Sequence, residues 1–218
     1  MLSASMTPAK EVGGDFYDFF MINDDHLCLV IADVSGKGVP AALFMMASKI
    51  IIEDHAKIGK SPAQVLHDTN KALCAKGQSD MFVTIWIGVL EISTGKLTAA
   101  DGGHEYPVIL KHDGVELYKE HHGIFVGGIE GIDFTDYEIQ LNPGDKVFVY
   151  TDGVPEAMNS DKCMFGLERM CSTLGDSKNG TPEEILKHME KTVDSFAGDA
   201  EQVDDLTMLC LEYKGSGS

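Results

Sequence analysis

Aspartates are the side chains of this sequence best placed to do chemistry. They sit in four short motifs: Gly13-Gly14-Asp15, Asp33-Val34-Ser35-Gly36, Thr151-Asp152-Gly153 and Asp204-Asp205-Leu206-Thr207. Each motif joins an aspartate to an apolar, strand-like run. Strand ends far apart in sequence can meet at one rim of a sheet. A carboxylate cluster built that way offers the oxygens that Mg²⁺ and Mn²⁺ take. The chemistry it points to is two-metal hydrolysis of a phosphate ester. Taken singly, Asp15, Asp33, Asp152 and Asp204 each read as turn aspartates. One shared metal site accounts for all of them together.

Phosphate also needs positive charge. Arg169 is the only arginine, and it lies outside these motifs. Metal ions would then have to polarise the phosphoryl oxygens, lower the pKa of a bound water and orient the attack. Lys37 could add a point charge, but it reads rather as an exposed loop lysine. Ser35-Gly36-Lys37-Gly38 lacks the spacing of a phosphate-cradling P-loop. Cys163 and Arg169 have the C-x₅-R spacing of cysteine-dependent phosphatases, but Glu168 does not suit a loop wrapped round a dianion. His104 reads as a turn histidine rather than a general acid or ligand, since no second histidine stands at ligand spacing. Met45-Met46 reads as core.

The elements that must position these residues follow from pattern. Phe16–Met21 and His26–Ala32 are β-rich runs around Asn23-Asp24-Asp25 and predict a hairpin. Pro40 suits the first turn of a helix running to about His55. Ser61, Pro62 and Gln64 predict a capped second helix. Further strands are expected at Met81–Ile92, Leu97–Ala100, Val108–Lys111, Val115–Tyr118, Phe134–Leu141 and Lys146–Tyr150. A short helix follows Phe165-Gly166, and Thr181-Pro182-Glu183-Glu184 caps another. Leu206–Tyr213 closes the chain as a strand. Hairpins dominate and helices come in pairs, which favours antiparallel sheets under helix layers, an α+β fold.

Composition narrows the partners. The 218 residues carry a formal net charge of −18. Such a surface repels nucleic acid and anionic lipid and helps concentrate divalent cations. Cys28, Cys74, Cys163, Cys171 and Cys210 show no CxxC pairing and read as reduced core thiols, not as a zinc site. No signal peptide is visible, and no apolar run reaches the roughly 18 residues of a membrane span. A cytoplasmic domain without membrane contact is expected. The tail 214–218 reads as an appended linker.

Longer stretches carry a resemblance. Val12-Gly13-Gly14-Asp15-Phe16-Tyr17-Asp18 and Ala32-Asp33-Val34-Ser35-Gly36-Lys37-Gly38-Val39-Pro40-Ala41-Ala42 resemble the SpoIIE-like (RsbU-type) phosphatases of the PPM family. So do Asp101-Gly102-Gly103-His104, Asn142-Pro143-Gly144-Asp145, Tyr150-Thr151-Asp152-Gly153-Val154-Pro155-Glu156-Ala157 and Asp204-Asp205-Leu206-Thr207, in the family's order. The resemblance spans residues 1–213. It implies a four-layer α-β-β-α sandwich with two antiparallel sheets. It implies hydrolysis of phosphoserine or phosphothreonine on a protein, with two Mn²⁺ or Mg²⁺ ions. By motif match, Asp33 bridges the ions and the Val34 carbonyl binds one. Asp152 and Asp204 bind the other, and Asp15 binds directly or through water. A metal-bound water attacks phosphorus in line, without a phosphoenzyme. Asp18, Asp205, Gly36 and Lys37 fall in supporting positions. Val34 stands where the wider family commonly has glycine, and Asp101 where many relatives have Ala or Asn. Asp101 is expected in the turn.

The resemblance also implies context. Such domains act in partner-switching pathways that control sigma factors. Their usual substrate is a phosphorylated STAS-domain anti-anti-sigma protein, and an N-terminal sensor, receiver or coiled-coil linker regulates them. A start at Met1-Leu2-Ser3 reads as an excised catalytic domain with an incomplete opening strand. Other readings are a phosphatase-like regulatory module that binds without turnover or is autoinhibited, and a small-molecule phosphatase. The stripes of Val39–His55 and Ser61–Ala75 fit a homodimer or regulatory surface, and fit core packing equally.

Overall fold

A computed structural model describes residues 1–75, 81–119 and 123–215. In chain order the elements are β1 (Leu2–Thr7), β2 (Phe16–Asn23), β3 (His26–Val34), α1 (Val39–Lys57), α2 (Pro62–Cys74), β4 (Val83–Glu91) and β5 (Lys96–Gly102). There follow β6 (Val108–Lys111), β7 (Gly114–Leu117), β8 (Tyr137–Gln140), β9 (Lys146–Tyr150), α3 (Gly166–Ser177), α4 (Pro182–Ala197) and β10 (Leu206–Glu212). Two five-stranded sheets result, ordered β1-β10-β9-β6-β7 and β2-β3-β4-β5-β8. Neighbouring strands pair antiparallel throughout.

The period-2 alternation of strands sorts the core into layers. On β3, Cys28, Val30, Ala32 and Val34 face α1 and α2, packing with Phe44, Ile52, Leu66 and Leu73. Leu29 and Ile31 point the other way, into a layer shared with Trp86, Val147, Val149, Leu209 and Leu211 of both sheets. Phe148, Tyr150, Met208 and Cys210 face α3 and α4 through Met170, Leu174, Ile185 and Met189. The order is helix pair, sheet, sheet, helix pair: the expected α-β-β-α sandwich. Strands buried on both faces explain the unbroken apolar runs of the sequence. Each fully buried Leu, Ile or Phe contributes about 1.5–3 kcal/mol, so the central strands hold their ends rigidly.

Local signals behave as their chemistry dictates. Asn23 Oδ1 accepts from the Asp25 and His26 amides at 3.0 Å and closes the β2–β3 turn. Ser61 with Gln64, and Thr181 with Glu184, form reciprocal capping boxes at α2 and α4. Trp86 donates its indole N–H to Tyr137 Oη at 2.8 Å in the layer between the sheets.

Four expectations need correction. The opening strand is present: β1 pairs with β10 along its whole length, from Leu2 opposite Leu211 to Thr7 opposite Leu206. Its alternation of Leu2, Ala4 and Met6 with Ser3, Ser5 and Thr7 is weakly apolar because it lies at a sheet edge. The strand expected from Phe134 begins only at Tyr137, since Asp136 Oδ1 is drawn to the Ala63 amide at 2.7 Å, at the start of α2. Met46 is 57% exposed, whereas the adjoining Met45 packs on the core. One residue turns the helix by about 100°, and α1 buries the face of Ala41, Phe44, Ser48 and Ile52 instead. Cys163 is exposed, while Cys28 and Cys210 are buried thiols. Among the described residues no helix is long and apolar enough to cross a membrane. Residues 216–218 of the tail lie outside the described residues.

Candidate metal centre at the sheet rim

β3 carries Asp33 and Val34 to its last positions, with Asp33 opposite Thr84 of β4. The Thr84 hydroxyl lies 3.4 Å from the Asp33 carbonyl and 2.9 Å from His104 Nδ1. The buried His104 therefore braces the end of β3 from the β5 side. The segment before β2 folds back onto Asp205, just before β10. Asp205 Oδ1 accepts from the Ala9 amide at 2.8 Å, and its Oδ2 accepts from Gly14 at 2.8 Å and Asp15 at 3.4 Å. That clamp sets Asp15 beside Asp33. A Cβ on Gly14 would stand 3.0 Å from the Val34 carbonyl oxygen. Glycine thus keeps open the carbonyl read from sequence as a ligand.

Burial and like charge act together here. Asp15 is only 2% exposed. Its carboxyl is pushed up to about 9, first by burial and then by the Asp33 charge. Asp33 is pushed up to about 7 by burial, then by Asp152 and Asp204, against the help of a hydrogen bond from Asp15. Asp152 rises to about 6 through burial and the charges of Asp204 and Glu156, eased by Lys37. Asp33 thus lies within electrostatic reach of Asp15, Asp152 and Asp204, which come from separate motifs.

Lys37 is not a bystander. Gly36, at φ 88°, turns the chain into a loop that delivers Lys37 Nζ to within 2.9 Å of Asp204 Oδ1. The same ammonium bonds the Val203 carbonyl. α1 begins immediately after this loop without a side-chain cap. Asp18 does not join the cluster. Its Oδ2 is 2.8 Å from Lys49 Nζ of α1, where it ties helix to sheet. Asp101, expected in the turn, instead holds the penultimate position of β5 opposite Trp86, and its Oδ1 reaches forward to accept from the Gly103 and His104 amides at 2.7 and 3.1 Å. Arg169 is spent on the Met164 and Phe165 carbonyls and the Phe196 ring.

Two residues were missed from sequence. Thr151 donates to Asp15 Oδ2 at 2.7 Å, and its oxygen accepts from the Thr207 amide at 3.2 Å. It precedes Asp152 in a motif, but nothing in the sequence says that it reaches Asp15. Glu105 lies within the fields of Asp152 and Glu156, which with burial raise its pKa; the signal was its place directly after Gly102-Gly103-His104. Thr151→Val removes the donor that favours ionised Asp15 and strands the Thr207 amide. The expected cost is about 1–3 kcal/mol of stability and about 10–100-fold in metal affinity, read by thermal melting and by Mn²⁺ titration.

The donor set fits a hard divalent ion. It is all oxygen: buried and half-buried carboxylates in excess of positive charge, with the Val34 carbonyl next to Asp33 in the chain. Among the described residues no three acidic, histidine or cysteine side chains already converge as a finished cage does. A cation would have to draw the carboxylates inward, relieving the repulsion that raises their pKa values.

Comparison with known proteins shows the family and the fold. A family profile described as stage II sporulation protein E (SpoIIE) matches residues 23–214. The chain belongs to the SpoIIE family. It is 32% identical to protein IcfG of Synechocystis over 96% of the chain, and 27% identical to phosphoserine phosphatase RsbU of Bacillus subtilis over 98%. It spans 37% of IcfG and 63% of RsbU. The fold matches the SiaA-PP2C domain of Pseudomonas aeruginosa with a TM-score of 0.89, at 21% identity, over 98% of this chain and 86% of that one. This SpoIIE-family chain therefore has a PP2C-type, PPM phosphatase fold.

Proposed function

We propose that this domain is a metal-dependent protein serine/threonine phosphatase. The observation that carries the reading is that Asp33 lies within reach of the charges of Asp15, Asp152 and Asp204 at one rim of the sheet, with Asp15 buried and the others partly so. A fold gains nothing from such repulsion, and it persists only where a ligand or a reaction uses it. Asp33, the Val34 carbonyl, Asp152, Asp204 and Asp15 would hold two Mn²⁺ or Mg²⁺ ions. When bound, those ions supply an activated water and neutralise charge on the phosphoryl group. The protein's own residues do the positioning. Asp205 clamps the loop of Asp15, and Thr151 orients its carboxylate. Lys37 holds Asp204 and adds a positive charge at the mouth.

In the family's setting, the substrate is a phosphorylated STAS-domain protein of a partner-switching pathway. A sensor or linker elsewhere in a longer protein governs the domain formed by residues 1–213, and the setting is cytoplasmic. The experiment compares a phosphoserine peptide and a phosphorylated STAS protein with sugar and nucleotide phosphates, all at saturating Mn²⁺. The phosphoprotein is expected to give kcat/KM at least about tenfold higher, some 1.4 kcal/mol of transition-state stabilisation. Equal or better turnover of the small phosphates would reassign the substrate class. A folded protein inert towards all of them would leave the binding-module reading.

A further inference from the structure

Beside the aspartate cluster lies a cavity of about 280 Å³ that the chemistry above does not use. Its floor is apolar, formed by Met158, Val193, Ala197 and Leu206. Its rim is acidic, with Glu156, Asp194 and Glu201. Asp204 of the candidate metal centre lines it, as does Gly153, the residue after Asp152, so the cavity adjoins that centre.

Three features point to an organic cation. First, Glu156, Asp194 and Glu201 form no ion pair among the described residues. Second, α4 ends at this cavity and carries no basic residue in its last turn. Its negative dipole end is therefore uncompensated, where proteins commonly place lysine or arginine. Third, Glu156, Asp194 and Glu201 are exposed while Val193 and Leu206 are buried, so the carboxylates ring an apolar floor. A long aliphatic stem with a cationic head fits that arrangement, stem on the floor and head at the rim. The cavity wall is also anchored. Gln202 Nε2 donates to the Thr7 and Asp204 carbonyls at 2.8 and 2.7 Å, and Lys37 bonds Val203.

We infer that this cavity is a substrate subsite for a lysine or arginine side chain close in sequence to the phosphoserine. The inference rests on the phosphatase reading for the identity of its ligand. The partner segment is then basic beside its phosphate, matching the net charge of −18 on this chain.

The test uses neutral phosphoserine peptides in which one lysine is stepped through the flanking positions, with norleucine as the uncharged counterpart. One position is expected to favour lysine over norleucine by about tenfold in kcat/KM, equivalent to about 1.4 kcal/mol. The double variant Asp194→Asn with Glu201→Gln, both exposed sites, is expected to bring that ratio close to one. No lysine preference at any position, or a preference that survives the double variant, overturns the subsite. If no phosphate ester is turned over at all, the proposed function fails separately. Fluorescence anisotropy of labelled lysine and norleucine peptides then decides the subsite, by a difference in affinity that the double variant either removes or leaves. A Mn²⁺-binding event lost in the double variant, with peptide preference unchanged, assigns the cavity to a metal ion and also overturns the proposal.

Discussion

Asp33→Asn is expected to abolish turnover and at the same time to stabilise the metal-free fold. Both effects come from the same carboxylate. On the proposed reading Asp33 would help hold both ions, so its loss would remove several kcal/mol of stabilisation at the phosphoryl oxygens. That is about a 10³-fold fall in kcat/KM. Without metal the balance reverses. Asp33 is pushed up to about 7 because it is buried among Asp15, Asp152 and Asp204. The neutral amide keeps the shape, still accepts from Asp15 and carries no charge to repel. At pH 8 the metal-free variant should melt higher than wild type, by roughly 2–4 °C for each kcal/mol relieved in a chain of this size. A turn aspartate behaves otherwise: its amide variant would lose a little stability and keep full activity. Melting curves in a chelator, with ester hydrolysis in Mn²⁺, separate the two. Such an opposition of activity and stability is what a strained functional site produces.

Rising pH is expected to destabilise the metal-free protein. In the unfolded chain an aspartate titrates near 3.9. In the folded chain Asp152 titrates at about 6, Asp33 at about 7 and Asp15 at about 9. Between pH 4 and 9, roughly, the folded state holds more protons than the unfolded state. The unfolding free energy therefore falls as pH rises through that window, and the penalty vanishes below about pH 4. The titration belongs to the cluster as a whole. The melting temperature in chelator should drop by several degrees from pH 5 to pH 8, and Asp15→Asn should flatten the drop. Mn²⁺ should restore stability most at the high end, because ligand carboxylates must be deprotonated to bind. A metal-free melting temperature that climbs over this range would contradict the electrostatic account.

Much of this was legible in the residues, for physical reasons that differ from place to place. The central strands announced themselves because burial on both faces demands runs such as Leu29-Val30-Ile31-Ala32. The starts of α2 and α4 were legible because Ser61 and Thr181 cap through local bonds, which depend only on nearby sequence. β1 was not, since its strand character comes from pairing with β10, some two hundred residues away. The four aspartates were found by type and position. Thr151 and Glu105 were not, because their roles lie in contacts across the sheets. Lys37 reads from sequence as a loop lysine, and it is one, but the turn at Gly36 also sets its ammonium on Asp204. The exposed Met46 shows the limit of an apolar run: α1 is rich in apolar residues all round, yet only one face is covered.

The central claim is that these aspartates work as one metal-dependent hydrolytic site. It is tested most directly by following hydrolysis of a generic phosphate ester against Mn²⁺ concentration, for wild type and Asp152→Asn. Saturable, Mn²⁺-dependent turnover in wild type, with the variant weakened about 10³-fold by losing a metal ligand, is the predicted result. Turnover that ignores Mn²⁺, or that Asp152→Asn leaves intact in a folded protein, would contradict it.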